Sequence, residues 1–340
     1  MFNPDQIARK NILALKPYSS ARDEYSGSDG IFLDANENPY GTLNRYPDPH
    51  QQKLKAVISK QKGISPENIF LGNGSDEIID LLIRIFCEPG KDKILTLTPT
   101  YGMYAVSAAV NDVTLIEIPL DNQFQPDSSR INPVLEDANC KLLFLCSPNN
   151  PTGNCLEAAS IRAILSRFKG IVVIDEAYID FTTQPSWSQQ LSAYPNLVVM
   201  QTFSKAWGLA AARVGMGFAS AAIIQLLNKV KPPYNISGPN QEAVLHALDK
   251  GQQNLTAILA ERTVLQKALN EITAVKKIYP TEANFILFEV ADANDTYEKL
   301  VQQKIIARNR HSVVRNCIRV TVGTTEENKS FINALKTILA

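Results

Sequence analysis

Short, strongly apolar segments of strand type alternate with helix-type segments through most of the sequence. The strand-type segments include KILTLT at 93–98, KLLFLCS at 141–147, IVVIDEAYI at 171–179 and LVVMQTF at 197–203. Each is apolar almost throughout, which is typical of strands that are buried on both faces of a parallel sheet. The intervening segments, such as SDEIIDLLIRIF at 75–86, have the apolar spacing of helices. This order predicts an α/β domain with a mostly parallel central sheet and helices on both faces.

The pattern changes after about residue 235, where the alternation is less regular. A long amphipathic stretch covers 238–272, and strand-type segments follow at 283–290 and 317–322, with helix-type segments between and after them. This region predicts a smaller α+β domain. The predicted parts of the chain are an N-terminal segment that packs with the small domain (1–35), a large ligand-binding domain (36–240) and the small C-terminal domain (241–340).

Composition and charge exclude several functional classes. The 340 residues contain 34 Lys and Arg against 34 Asp and Glu, so the chain lacks the basic excess that binds nucleic acid or an anionic membrane. No stretch approaches the ~18 consecutive apolar residues of a membrane-spanning helix, and the N-terminal MFNPDQIARKNI lacks the apolar core of a signal peptide. Five cysteines without a CxxC pair, together with three histidines, predict free thiols, no metal site and a cytoplasmic location.

Two loops that directly follow apolar strands carry residues suited to binding a ligand. GNGSDE at 72–77 joins a strand to a helix through a glycine turn, and the backbone N–H groups at such a helix start favour an anion such as phosphate. SPNNPTG at 147–153 places Asn150 just beyond a strand, where ligands usually bind in an α/β sheet. Either loop taken alone is also explained as an ordinary turn of an α/β fold.

Asp175 and Lys205 stand at the ends of the next two strands. A carboxylate at the end of a buried strand is costly unless it is paired. Asp175 is therefore either a cap or surface ion pair, or the partner of a cationic ring nitrogen. Lys205 follows the hydroxyls of Thr202 and Ser204 and precedes Arg213. A lone lysine there is usually solvated, but this combination suits a Schiff-base lysine beside a phosphate site.

In order and spacing, these four segments resemble the fold-type I pyridoxal-phosphate aminotransferases. The resemblance implies a seven-stranded, mostly parallel central sheet in the large domain, and pyridoxal 5′-phosphate as the cofactor. It implies that Lys205 forms the Schiff base and carries the proton, and that Asp175 keeps the pyridine nitrogen protonated. The other cofactor contacts that it implies are Asn150 and Tyr178 at the ring hydroxyl, Tyr101 stacked on the ring, and Gly74, Ser75, Thr202, Ser204 and Arg213 at the phosphate.

Further motifs narrow the resemblance to the histidinol-phosphate aminotransferases. They are PYSSAR at 17–22, LDANENPYG at 33–41, RYPDP at 45–49 and CIRVTVGTTEEN at 317–328. The resemblance implies a homodimer with shared active sites, in which Tyr46 reaches the cofactor phosphate of the partner subunit. It also implies a set of substrate-binding residues, with two arginines at the anionic end of the substrate: Tyr18, Asn36, Arg308 and Arg319.

The arginines of this C-terminal region also allow a plainer interpretation. Arg308, Arg310, Arg315 and Arg319 fall within twelve residues, and a charge run of this kind is usually a solvated face. Arg319 is the strongest exception, because it alternates with apolar residues in the strand-type segment IRVTV and would point to one face.

The resemblance implies reversible transamination between L-histidinol phosphate and 2-oxoglutarate, giving imidazole-acetol phosphate and L-glutamate in histidine biosynthesis. An aromatic amino-acid aminotransferase and a threonine-phosphate decarboxylase are alternatives, because they carry nearly the same motifs. A regulatory module with an aminotransferase-like domain is a third alternative. The residues that precede LDANENP are too few for an additional DNA-binding domain, which argues against this last class.

Overall fold

The computed structural model describes residues 2–18 and 30–340, which form an α/β protein with two sheets. Parts of the predicted N-terminal segment and of the PYSSAR motif lie outside these residues. Among the helices of the described residues, none combines the length and the apolar character needed to cross a bilayer.

The larger sheet has seven strands. They are β1 (Ile69–Asn73), β2 (Lys93–Thr98), β3 (Thr114–Pro119), β4 (Cys140–Cys146), β5 (Ile171–Asp175), β6 (Leu197–Thr202) and β7 (Val214–Ala219). Their order across the sheet is β1-β7-β6-β5-β4-β2-β3. β7 runs antiparallel to both of its neighbours, and the other neighbouring pairs are parallel. The prediction of a seven-stranded, mostly parallel sheet is confirmed.

Helices cover both faces of this sheet. The helices in this part of the chain are α1 (Lys10–Ala14), α2 (Gln52–Lys62), α3 (Ser75–Phe86), α4 (Met103–Val110), α5 (Ser128–Leu135), α6 (Ala158–Arg167), α7 (Ala221–Val230) and α8 (Gly238–Lys250), with 3-10 helices at Pro4–Gln6, Pro66–Asn68, Ile179–Phe181, Trp187–Gln190 and Ala210–Ala212. On one face, α3, α4 and α7 bury a core that includes Phe70 and Ile79. On the other face, α2, α5, α6 and α8 bury a core that includes Leu71 and Ile161. The continuous apolar character of the strands follows from this burial on both faces.

β7 lacks a continuous apolar run, because its sequence VGMGFA contains two glycines. A Cβ on Gly215 would lie 2.5 Å from the carbonyl carbon of Gly74, in the turn that follows β1. Glycine in a strand often marks such a close approach of another backbone. The approach is held by the N–H of Gly74, which donates to the carbonyl of Arg213 at 2.8 Å. Arg213 therefore lies next to the start of α3.

The smaller sheet belongs to the C-terminal region and is antiparallel. Its strands are β8 (Lys277–Ile278), β9 (Phe285–Glu289), β10 (Arg308–Asn309) and β11 (Cys317–Thr321), and its helices are α9 (Leu255–Asn270), α10 (Ala293–Gln302) and α11 (Thr325–Leu339). The strand order is β10-β11-β9-β8. One face of this sheet, including Phe288 and Ile318, packs against the three helices. Phe285 on the other face contacts Tyr178, which follows β5 of the larger sheet.

The long amphipathic stretch at 238–272 forms two helices rather than one. α8 is followed by Gly251, whose φ of 71° lies in the left-handed region, and α9 begins at Leu255. Glycine adopts this conformation without the steric cost that other residues bear, which makes it a common residue at the end of a helix. The apolar spacing continues through the break and does not reveal it.

Candidate active site

A pocket opens where the carboxyl ends of β4, β5 and β6 meet the start of α3. Ligands of α/β sheets usually bind at this edge of the strands. The lining residues are Ser75, Asp76, Tyr101, Cys146, Asn150, Asp175, Ala177, Tyr178, Thr202, Ser204, Lys205, Ala210 and Arg213. Gly74 directly precedes Ser75 and contacts Arg213. Most of the cofactor residues proposed from the sequence therefore lie together.

One part of the pocket fits a phosphate group. α3 begins at Ser75, and its N-cap residue Gly74 has no side chain that could cap the first N–H groups, which leaves these donors for an anion. The guanidinium group of Arg213 lies close to the backbone of Gly74. A Cβ atom placed on Gly74 would be only 2.6 Å from Nη2 of Arg213. The hydroxyls of Thr202 and Ser204, 3.0 Å apart, complete the set of donors. The residues present thus fit the phosphate of the implied cofactor.

Asp76, which was not among the residues predicted from the sequence, holds two of the predicted cofactor residues. Its Oδ1 accepts a hydrogen bond from the Tyr101 hydroxyl at 3.1 Å, and its Oδ2 accepts one from Nη2 of Arg213 at 3.1 Å. These contacts orient Tyr101 and Arg213 in the pocket lining. An acidic residue in the first turn of a helix is too common to indicate this role from the sequence.

Asp175 is buried at the end of β5, and two donors hold its carboxylate. The Tyr104 hydroxyl donates to Oδ2 at 2.7 Å, and the N–H of Ala177 donates to Oδ1 at 3.0 Å. Burial raises the pKa of Asp175, whereas these hydrogen bonds lower it. Tyr104 is itself fully buried, and its ring stacks on Phe144 with 4.8 Å between ring centroids. A cationic ring nitrogen in this pocket would offset the cost of burying the Asp175 charge.

Asn150, Tyr178 and Arg319 connect the two sheets beside the pocket. Nδ2 of Asn150 donates to the Tyr178 hydroxyl at 3.4 Å, and Nη1 of Arg319 donates to Oδ1 of Asn150. The Arg319 guanidinium lies 5.0 Å from the ring centroid of Phe285. Burial lowers the pKa of Arg319, and its Nε is buried without a hydrogen-bond partner among the described residues. A buried N–H group without a partner is costly, so Arg319 carries a polar group that the described residues do not satisfy.

Lys205 lies in the loop after β6, and its Nζ is 5.7 Å from the ring centroid of Tyr178. Partial loss of water around the ammonium group lowers the pKa of Lys205, and the positive charge of Arg319 lowers it further. Asp175 acts in the opposite direction. A lowered pKa increases the fraction of neutral amine, which is the form that attacks a carbonyl carbon and accepts a proton.

Six of the predicted site residues lie outside the lining of this pocket. Gly74 and Arg319 each hydrogen-bond to a lining residue, Arg213 and Asn150 respectively. The other four are Tyr18, Asn36, Tyr46 and Arg308. Asn36 and Tyr46 line a separate concave surface, where Tyr46 stacks on Tyr234 with 4.4 Å between ring centroids. Tyr18 is 73% exposed, and Arg308 is exposed on β10. The single chain therefore does not bring these four residues into the lining around Lys205.

Residues 31–335 match the family model of aminotransferase class I and II. The chain belongs to this family. It is 51% identical over 346 residues to a histidinol-phosphate aminotransferase of Cytophaga hutchinsonii, and the match covers 99% of each chain. This similarity places the aminotransferase in the histidinol-phosphate aminotransferase family.

Solved structures agree with the fold of this aminotransferase. The histidinol-phosphate aminotransferase from Clostridium acetobutylicum has a TM-score of 0.79 at 25% identity, covering 87% of this chain and 91% of that one. The enzyme from Sinorhizobium meliloti, in complex with pyridoxal-5′-phosphate, has a TM-score of 0.79 at 22% identity, covering 90% of this chain and 89% of that one. The aminotransferase is a transaminase that depends on pyridoxal phosphate, so the predicted fold, enzyme class and cofactor are confirmed.

Proposed function

We propose that this aminotransferase catalyses reversible transamination between L-histidinol phosphate and 2-oxoglutarate. The main observation in favour of a phosphate-bearing substrate is a second group of arginines. These arginines lie on the small sheet, apart from Arg213. Arg319 contacts Asn150 of the pocket lining, and Arg308 is opposite Arg319 in the strand register. Guanidinium groups bind phosphate strongly and in fixed geometry. The names of the similar proteins support the same substrate.

Bound pyridoxal phosphate supplies an electron sink for negative charge at the reacting carbon. Asp175, held by Tyr104, stabilises positive charge on the ring nitrogen. Asn150 and Tyr178, which line the pocket, would orient the ring by binding its hydroxyl. Nζ of Lys205 would accept the proton from the amine-bearing carbon of the substrate and pass it to the cofactor carbon that is bonded to the same nitrogen. The groups proposed to hold the cofactor phosphate are Gly74, Ser75, Thr202, Ser204 and Arg213.

The same pocket accepts an amine and a keto acid in turn. Arg308 and Arg319 bind the anionic end of each substrate, which is the phosphate of histidinol phosphate or the distal carboxylate of 2-oxoglutarate. Because the two substrates use the same groups, the first product leaves before the second substrate binds.

Initial-rate kinetics test the proposed substrate. We expect kcat/KM for histidinol phosphate to exceed that for phenylalanine by about 10-fold or more, since a single charge-assisted hydrogen bond accounts for about that factor. Double-reciprocal plots for histidinol phosphate and 2-oxoglutarate should be parallel. A preference for phenylalanine, decarboxylation of threonine phosphate at a higher kcat/KM, or intersecting lines would contradict the proposal.

We also propose a homodimer with shared active sites. The support is the concave surface around Tyr46, which is 49% exposed and which the exposed side chain of Leu43 also lines. Two further large exposed apolar side chains, Leu33 and Tyr40, belong to the same stretch of sequence. Grouped apolar side chains on a surface mark sites of protein–protein contact. A second copy that covers this surface would bring its own pocket to Tyr46. The division at 1–35, 36–240 and 241–340 and the cytoplasmic location remain predictions.

Mixed dimers test the sharing of sites. Co-expression of Lys205→Ala and Tyr46→Ala subunits with different tags allows the mixed dimer to be purified. If Tyr46 serves the partner's pocket, one pocket of the mixed dimer carries both residues, and its turnover should exceed that of either parent dimer. If Tyr46 acts within its own subunit, every pocket lacks one of the two residues and no gain appears.

A further inference from the structure

Arg310 lies on the same face of the small sheet as Arg308 and Arg319. β10 pairs with β11 so that Arg308 is opposite Arg319, and the pairing continues past β10, where the N–H of Arg310 donates to the carbonyl of Cys317 at 2.9 Å. Residues two apart in a strand point to the same face. Since Arg319 contacts Asn150, this face is the one that turns toward the pocket.

The three guanidinium groups have no carboxylate partner among the described residues. Two of their nitrogen atoms, Nε of Arg310 and Nε of Arg319, are buried and have no hydrogen-bond partner among the residues that the structure describes. Burial lowers the pKa of Arg310, and the charges of Arg319 and Arg308 lower it further. Like charges that face each other on a sheet destabilise it. A bound anion with more than one negative charge would offset both costs.

The local backbone does not depend on the Arg310 guanidinium. The N–H of Arg310 is bonded to Cys317, and its carbonyl accepts the N–H groups of Val313 and Val314 at 2.9 and 2.8 Å. These backbone bonds close the turn between β10 and β11. The backbone of this turn should therefore persist when the Arg310 side chain is changed.

We propose that Arg310 is a specificity-determining residue that supplies a third guanidinium group to the phosphate of the substrate. This inference rests on the proposed function, in which Arg308 and Arg319 bind the same phosphate. A phosphate monoester carries about −1.5 to −2 charges at neutral pH, whereas a carboxylate carries one. A third positive group therefore favours the phosphate-bearing substrate over a carboxylate and over an analogue without the phosphate.

Kinetics of the Arg310→Met holoenzyme test this role, because methionine keeps an unbranched apolar stem and removes the charge. We expect kcat/KM for histidinol phosphate to fall about 10- to 100-fold, and that for unphosphorylated histidinol to change less than about 3-fold. Arg315→Met is the matched control, because Arg315 is exposed in the same segment, and it should leave both values unchanged. Equal losses with both substrates would overturn the proposal.

Thermal unfolding of the substrate-free holoenzyme separates this role from a structural one. Removing one of three like charges should raise Tm in Arg310→Met by a few degrees at most. Inorganic phosphate should raise Tm of the wild type more than that of Arg310→Met, since binding to the native state stabilises it. In the holoenzyme the cofactor phosphate already occupies the site at Arg213. The difference between the two increases in Tm therefore measures phosphate binding at the arginines of the small sheet.

The two proposals fail in distinguishable ways. A lower Tm in Arg310→Met, with undiminished stabilisation by phosphate, would overturn the role of Arg310. Wild-type turnover that does not distinguish histidinol phosphate from histidinol would overturn the proposed function. In that case the increase in Tm with inorganic phosphate still tests whether Arg310 binds phosphate, because this measurement does not depend on the identity of the substrate.

Discussion

Replacing Lys205 with alanine should reduce transamination by about 10⁴-fold or more, because general acid–base catalysis alone contributes up to about that factor. Alanine cannot form the covalent link to the cofactor and cannot carry a proton between two carbons. Burial and the charge of Arg319 lower the pKa of Lys205, which increases the fraction of the neutral amine that both tasks require. The measurements are steady-state turnover and the yellow protein-bound adduct that borohydride reduces.

The control for this variant is a lysine on the protein surface. Lys169→Ala removes an exposed side chain that is absent from the pocket lining, and it should leave turnover and the reducible adduct unchanged. Turnover that survives in Lys205→Ala, or a reducible adduct that persists there, would refute the role proposed for Lys205.

Replacing Asp175 with asparagine should lower kcat by about 10²- to 10⁴-fold, which corresponds to losing one partner of a buried charge pair. Asparagine is nearly isosteric and keeps an oxygen that can accept the hydrogen bond from Tyr104. It removes the charge that stabilises a protonated ring nitrogen. The cofactor content of the variant should stay near that of the wild type, because the phosphate-binding groups are unchanged. The measurements are kcat, cofactor content and the visible spectrum of the cofactor as a function of pH.

Glu176→Gln is the matched control for Asp175→Asn. Glu176 is also buried and adjacent in sequence, but it accepts hydrogen bonds from Ser186, Trp187 and Gln201 and is absent from the pocket lining. Burial raises the pKa of Glu176 to about 7. We expect this variant to lose stability and to keep its turnover per bound cofactor. Equal losses of turnover in the two variants would show that buried carboxylates matter here for folding rather than for the ring nitrogen.

Much of the pocket was predictable because its residues follow apolar strands of one parallel sheet. The carboxyl ends of such strands meet at one edge, so Asn150, Asp175 and Lys205 come together although they are far apart in the chain. Tyr104 was not predictable in this way. It reaches Asp175 from a helix 71 residues earlier, and in the sequence it reads as one apolar residue of that helix. Asp76 was missed for a similar reason, because an acidic helix start is common.

The sequence by itself determined the order of strands and helices, the strand ends that carry polar side chains, and the family resemblance. These features depend on local spacing of apolar and polar residues, which sets which face of each element is buried. The tertiary structure alone decided how the two sheets meet. The contact of Arg319 with Asn150, and the register that sets Arg310 beside Arg319, depend on packing between distant segments. A charge run that reads as a solvated surface thereby becomes a group of arginines on the sheet face that turns toward the pocket.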